Sequence, residues 1–324
     1  MKIKNRINFT LDYLLKRRKV KCMPIELDVE LTNICTSRCL MCPNYSEEIK
    51  RGYMEFSTFK KIVDEVKDYA EMFFVHLSGE SLLHPKVFDM VKYCKSQGVP
   101  VGFSTNGILL DKEASKKLIE TNLDYLTISI NAFFNDTYKK VMGVDKRDIV
   151  YENVINFLKM NNKKIYTSIQ LIQLKENQNE LKEFKKFWNG KKADVVRIKP
   201  SISFGGYYTK GSNIKRLKPC VLLWRMMVVH WNGDASLCCL DLLNKHPIGN
   251  VNKNSIREIW NSDKMQRYRE LHIKGLFDNI NICKVCNVPN INIPLLLGGA
   301  FLDTFTIKKL IVKLENKPYF KNYV

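Results

Sequence analysis

Cys35, Cys39 and Cys42 fall within eight residues, in the run Glu30-Leu31-Thr32-Asn33-Ile34-Cys35-Thr36-Ser37-Arg38-Cys39-Leu40-Met41-Cys42-Pro43. Thiols this close in sequence, in a chain with no secretory signal, point to metal binding or catalysis. A structural zinc needs a fourth ligand nearby. None is at hand locally, since the nearest histidine is His76 and Cys22 lies ahead of the segment. Three thiolates suit an iron–sulfur cluster with one iron left open to an outside ligand. The bland alternative is three buried cysteines without metal. A second group lies far downstream: Cys220, then Gly233 and Cys238, then Cys283-Lys284-Val285-Cys286. Brought together, these four thiolates form a saturated site suited to electron transfer or to structure, and zinc fits it as well.

The surrounding chain must hold both groups in place. Its 324 residues, 45% of them hydrophobic, are enough for one large domain or two ordinary ones, and exclude a disordered chain. From residue 24 to 200, apolar β-branched segments alternate with segments of helical period, which predicts repeated βα units and a parallel sheet. Six strands are expected, at 25–30, 73–77, 99–104, 125–130, 165–172 and 194–198. A helix at 58–69 follows from the spacing of Phe59, Ile62, Val63 and Val66, with Ser57 as its cap, and another at 84–96 stops before Gly98. Six units are too few to close an eight-stranded barrel, so the fold class is α/β, a partial (β/α)6 TIM-like barrel. Cys35, Cys39 and Cys42 then sit after the first strand, at the barrel mouth. Beyond Pro200 the pattern changes. Gly205, Gly206 and Gly211 punctuate a loop, Asn232-Gly233 marks a hairpin between 226–231 and 235–239, and short helices follow near 255–260 and 264–272. The expected organisation is a basic N-terminal helix (1–23), the barrel (24–204), a small cysteine-rich domain (205–289) and a basic amphipathic tail (290–324).

The CxxxCxxC spacing after a first strand resembles the signature of the radical S-adenosylmethionine (radical SAM) superfamily. Further segments resemble its motifs in order. Ser78-Gly79-Glu80 is similar to the Gly-Gly-Glu motif, with Ser in place of the first Gly, and the resemblance implies that Gly79 and Glu80 receive the methionine amino group. Ser104-Thr105-Asn106-Gly107 resembles the ribose and carboxylate contacts, and Ser129-Ile130-Asn131 the next cofactor-facing edge; the bland reading of Ser104 and Asn106 is a turn. Met41 matches the position whose backbone meets adenine. The downstream cysteines, with Pro219-Cys220, Leu223-Trp224, Gly249-Asn250-Val251 and Glu258-Ile259-Trp260-Asn261, look like the auxiliary-cluster modules called SPASM and twitch. The resemblance implies one auxiliary 4Fe–4S cluster on Cys220, Cys238, Cys283 and Cys286. Cys239 competes with Cys238, and the spacing from Gly233 favours Cys238. Cys94 reads as a core residue, and the histidines, scattered singly, as structural or surface groups.

The resemblance implies two 4Fe–4S clusters and S-adenosylmethionine as cofactors, with Cys35, Cys39 and Cys42 carrying reductive cleavage to a 5′-deoxyadenosyl radical. Hydrogen abstraction followed by electron transfer to the auxiliary cluster is an oxidation, for which the expected substrate is a sugar or glycan precursor. The alternative is a peptide-modifying maturase, although only 34 residues precede Cys35, few for a leader-binding domain. No cobalamin-binding segment is visible. A flavodoxin or ferredoxin is the expected electron donor, and Arg197 and Lys199 at the end of the sixth strand are candidates to meet an anionic substrate group.

The formal charge of +20 is concentrated at the ends, with net +7 in residues 1–24 and +3 in 301–324. A zinc-stabilised nucleic-acid or scaffold-binding protein is the competing class. Against it, the cysteines match no DNA-binding finger. The longest nearly apolar run, 293–302, is ten residues, about half of a bilayer span. A cytoplasmic location is therefore expected, with one refinement at the inner membrane face. Ile3, Ile7, Leu11, Leu14 and Leu15 line one face of a basic helix, and Ile307, Leu310, Ile311 and Leu314 repeat the pattern. Such helices either cap the barrel or lie on an anionic membrane.

Overall fold

The computed structural model describes residues 1–208, 218–288 and 306. Helix α1 (Lys2–Leu14) leads into β1 (Glu26–Val29), α2 (Phe56–Val66), β2 (Met72–Phe74), α3 (Val87–Ser96), β3 (Val101–Thr105), α4 (Lys112–Glu120) and β4 (Tyr125–Ser129). Then come α5 (Asn135–Met142), α6 (Arg147–Asn161), β5 (Tyr166–Gln173), α7 (Leu181–Asn189) and β6 (Val195–Pro200). The second half adds α8 (Leu222–Arg225), β7 (Met226–Val229), β8 (Asp234–Ser236), β9 (Pro247–Asn250), α9 (Ile256–Trp260), α10 (Asp263–Ile273) and α11 (Asn281–Lys284). All six expected strands form and pair in parallel, in the order β6-β5-β4-β3-β2-β1. Their apolar side chains pack under the outer helices, while the other face of the sheet turns Glu26, Asp28, Thr127 and Gln170 into the barrel interior. Phe73, Phe103, Phe157, Phe184 and Trp188 fill its core.

The downstream hairpin does not stand apart from this sheet. β7 pairs in parallel with β1, setting Leu27 beside Met227 and Val29 beside Val229, and β8 and β9 continue it antiparallel to make nine strands. An edge strand with unpaired backbone groups demands a partner, and nothing local in the sequence names which strand supplies it. The hairpin turns at Asn232-Gly233, where Gly233 has φ +86° and a Cβ would stand 2.4 Å from the Asn252 amide.

Two helix starts differ from the periodicity. α2 begins at Phe56 with Glu55 as its N-cap, so Ser57 lies inside the first turn and does not cap it. α3 begins at Val87, not at residue 84, because Pro85 keeps the residue before it extended. His84 is instead pinned, its Nε2 2.9 Å from the Met54 carbonyl, while Nδ1 accepts the Lys86 N–H. Gly98, at φ +68°, follows the C-cap of α3 as expected.

The apolar stripe of α1 faces outward. Ile3, Ile7, Leu11, Leu14 and Leu15 are between 43% and 65% exposed, so they do not cap the barrel. The helix docks through its other side, because specific polar bonds hold it there. The Asn5 amide bridges the N–H and C=O of Met23, and Asp12 accepts the N–H groups of Lys21 and Cys22. The matching stripe at 307–314 lies outside the described residues.

Arg269 of α10 is fully buried and clamps this N-terminal segment to the second half of the chain. Its guanidinium donates to the carbonyls of Leu223 (2.9 Å) and Arg18 (3.0 Å) and lies 4.6 Å from the Trp260 ring centroid. Replacing Arg269 with Ala should cost about 3 kcal/mol of stability, read as a lower urea midpoint, because it strips a buried hydrogen-bonded charge from its partners. Arg269→Lys should recover only part of this, since one ammonium cannot span both carbonyls.

Candidate active site

Cys35, Cys39 and Cys42 sit on the loop that leaves β1. The loop has a rigid frame of its own. Asn44 donates to the carbonyls of Asn33 and Ser78, both at 3.0 Å, and Arg51 bonds to Asn33 and Asn44. The Tyr45 hydroxyl donates to the Cys35 carbonyl at 2.8 Å and accepts the Cys35 N–H, with Arg51 stacked 4.5 Å from its ring. Burial pushes all three thiols up, Cys35 to about 12, and in Cys39 the charges of Cys42 and Cys35 add to the effect. Three thiolates that disfavour one another in a desolvated loop become stable together when a cation is bound among them. This donor set, all sulfur and without a fourth ligand among the described residues, fits a 4Fe–4S cluster with an open iron.

The neighbouring motif residues tie the strand ends to that loop. Gly79 is backbone-constrained: a Cβ there would lie 2.0 Å from the Thr32 carbonyl oxygen. Ser78, the departure from the family's first Gly, is buried, and its hydroxyl and N–H both donate to Oε1 of Glu30. Glu30 Oε2 meets His230 Nδ1 at 3.2 Å and the Trp231 N–H at 3.3 Å. One carboxylate thus joins the motif loop to the hairpin of the second half. Glu80 is buried, and its carboxylate accepts the N–H of Leu82 (3.2 Å) and of Asn106 (2.8 Å), so it fastens the β2 loop to the β3 loop. Burial raises its pKa. The Asn106 amide donates to Thr36 Oγ1 and Ser37 Oγ and stands 3.8 Å from Cys35 Sγ. Ser104 and Ser129 line a central cavity, Ser104 donating its N–H to His76 Nδ1. Asn131, at φ +58°, turns its side chain onto the Ile172 N–H and Met142 sulfur. Met41 packs with Val141 and Leu174 beside Cys39.

The cavity, of about 690 Å³, brings the second cysteine group to the barrel interior. Cys220, Cys238, Cys239, Cys283 and Cys286 all border it. Cys238 rises well above the ordinary thiol range, from burial first and then from the charges of Cys239, Cys283 and Cys220; Cys239 rises from burial and from Asp28, Glu26, Cys220 and Cys286. Among the described residues no three His, Cys, Asp or Glu side chains converge on a single ion. The thiols border one space, and an all-sulfur donor set of four fits an iron–sulfur cluster. Arg197 and Lys199 also line this cavity.

Several wall residues were not singled out from the sequence. Glu26 and Asp28 line the cavity beside Cys239, and Arg225 pairs with Glu26 at 3.5 Å. Their signal was present as acids at every second position of an apolar strand, Glu26, Asp28 and Glu30, all on the inward face. Gln170 and His272 carried no such signal, because only the folding of distant segments puts them on the wall. Cys94 is a core residue of α3 as expected, and Cys22 is buried too.

The family model of the radical SAM superfamily matches residues 29–187, and that of the SPASM iron–sulfur cluster-binding domain matches 220–287. A cofactor-modifying protein of the tungsten-containing aldehyde ferredoxin oxidoreductase from Pyrococcus furiosus is 23% identical, over 80% of this chain and 87% of the relative. The S-adenosyl-L-methionine-dependent 2-deoxy-scyllo-inosamine dehydrogenase of Niallia circulans is 22% identical, over 81% and 92%. Among solved structures, SuiB of Streptococcus suis bound to its precursor peptide SuiA superposes with TM-score 0.67 at 16% identity, over 88% of this chain and 75% of that one, a likeness of fold.

The junction at Glu30 has a pH signature. Burial alone would raise its pKa, but the bonds and charge of His230 and the bonds from Ser78 and Trp231 outweigh it and hold the carboxyl below its ordinary value. A depressed folded pKa gives stability that is present above the unfolded pKa and lost as pH falls through the folded one. Glu30→Gln should therefore cost about 1–3 kcal/mol at pH 7. The gap to the wild type should begin to narrow below about pH 4 and close as the pH falls through the lower folded value, in a series of thermal melts.

Proposed function

Since the chain belongs to the radical SAM superfamily and carries a C-terminal SPASM domain, we propose that this oxidoreductase dehydrogenates a small polyhydroxylated substrate, a sugar or glycan precursor. The observation that carries the reading is the cavity at the barrel strand ends, which the downstream cysteines border. Its volume of about 690 Å³ lies in the range of small-molecule sites. One wall offers the hydroxyl of Thr127 and the amide of Gln170, groups that pair with sugar hydroxyls. Arg197 and Lys199 add positive charge for an anionic group such as a phosphate. The dehydrogenase activity named for the Niallia circulans relative supports the same class.

Cys35, Cys39 and Cys42 would hold one 4Fe–4S cluster, and Cys220, Cys238, Cys283 and Cys286 the other, with Met41, Gly79, Glu80, Ser104, Asn106, Ser129 and Asn131 around S-adenosylmethionine. When bound, these cofactors supply a 5′-deoxyadenosyl radical for hydrogen abstraction and an acceptor for the substrate's second electron. The protein's own part is positional. Glu80 and Asn106 hold the β2 and β3 loops against the cysteine loop. The Thr127 hydroxyl and the Gln170 amide orient the substrate. Glu26 or Asp28 takes the hydroxyl proton beside the auxiliary cysteines, where the electron leaves. A flavodoxin or ferredoxin supplies the reducing electron.

Anaerobic reconstitution tests this. About eight irons per chain and a brown colour are expected, with about half the iron lost in a Cys35→Ala, Cys39→Ala, Cys42→Ala variant. With S-adenosylmethionine and reductant, sugar alcohols or nucleotide sugars should stimulate 5′-deoxyadenosine release in the wild type alone. Stimulation by peptides only would replace the substrate class with that of a maturase, and a colourless zinc protein would overturn the reading.

A second reading concerns where the enzyme works. Among the described residues no helix is long and apolar enough to cross a membrane. The outward stripe of α1 is accompanied by the exposed Lys4, Lys16, Arg18 and Lys19, the pattern of a helix lying on an anionic surface. The protein should float with vesicles containing anionic lipid and stay down with neutral ones, and an Ile7→Asp, Leu11→Asp variant should lose flotation while keeping its iron. Sedimentation of the wild type in both would end this reading.

A further inference from the structure

His272, in the last turn of α10, is buried in the cavity wall and touches two of the downstream cysteines. The backbone N–H of Cys220 donates to its Nδ1 at 3.1 Å, and its Nε2 lies 3.4 Å from Cys283 Sγ. The first bond decides the tautomer. A ring nitrogen that accepts a hydrogen bond carries no proton, so the proton of the neutral ring is on Nε2, aimed at the sulfur. Phe277 packs edge-on at 5.1 Å and holds the plane of the ring.

We propose that His272 is a positioning residue that sets the reduction potential of the four-cysteine centre, by donating its Nε2–H to the sulfur of Cys283. The proposal rests on the reading that Cys220, Cys238, Cys283 and Cys286 hold the SPASM cluster. One-electron reduction adds one negative charge, shared with the thiolate sulfurs, and a donor aimed at a sulfur stabilises that form more than the oxidised one. The bond therefore raises the potential, and burial of His272 shields it from competition by bulk water. The Leu240 N–H donates similarly to Cys238 Sγ at 3.4 Å, but it belongs to the backbone and is present whatever the side chain. His272 is the donor that a substitution can remove. In the overall reaction the substrate radical gives one electron to this centre and one proton to a base, and a higher potential favours that transfer.

The test uses the full-length chain with Cys35, Cys39 and Cys42 changed to Ala, so that only the downstream centre is loaded, and reads iron content and the midpoint potential by EPR during dithionite titration. His272→Phe keeps the bulk and removes the donor. It should make reduction about tenfold less favourable, a midpoint about 59 mV lower for one electron. His272→Gln, whose amide can accept from Cys220 and donate to Cys283, should restore most of the shift. A Phe variant with full iron and the wild-type midpoint overturns the proposal, as does a Gln variant as low as Phe. Pulsed EPR on the chain with His272 intact and 15N-labelled histidine should show a weak ring-nitrogen coupling to the reduced centre, and its absence overturns the proposal even if neither variant holds iron. If the starting chain binds no iron, the cluster reading fails first and is distinguished by that measurement.

Discussion

A single buried carboxylate at the end of β1 sets the relation between the two halves of this protein. Glu30 receives Ser78 from the barrel side and His230 and Trp231 from the downstream hairpin, at the point where β7 pairs with β1. A buried charge is tolerated only when its lone pairs are filled, and here both halves are needed to fill them. The same strand begins the cysteine loop, so the parallel pairing with β7 and the bonds to Glu30 together fix how far one thiol group lies from the other. Stability and catalytic geometry rest on the same contacts.

The electrostatics of the interior follow from that arrangement. Burial of the individual thiols raises members of both groups. Each group is then poorly disposed to ionise by itself and well disposed to bind a cation that neutralises it. The cavity beside the downstream group combines apolar side chains with Thr127, Gln170 and the charged Glu26, Asp28, Arg197 and Lys199. The helices outside the sheet act mainly as scaffolding. Arg269, for example, spends its charge on two carbonyls and the face of Trp260, and so locks α10, with His272 at its end, against the N-terminal segment.

The departure at Ser78 shows how a motif can change without losing its geometry. Where the family has a first glycine, this chain has a hydroxyl, and Glu30 takes it up at a buried position. Gly79 has no such latitude, because the Thr32 carbonyl occupies the place of a side chain. Glu80 and Asn131, which the resemblance aims at the cofactor, also bond to backbone groups of adjoining loops, Glu80 to Leu82 and Asn106 and Asn131 to Ile172.

The sequence by itself determined the elements and the chemistry. Period-two and period-3.6 apolar patterns are local, so all six barrel strands, the Asn232-Gly233 hairpin and the stop at Gly98 were legible, and cysteine spacing is a property of the chain alone. Tertiary structure decided what depends on distance in space. The joining of β7 to β1, the meeting of barrel strand ends and downstream cysteines around one cavity, and the contact of His272 with Cys220 all bring together residues far apart in sequence. Their physical cause is the same in each case. Buried backbone and polar groups must find partners, and the folded chain, not the local sequence, determines which partners are within reach.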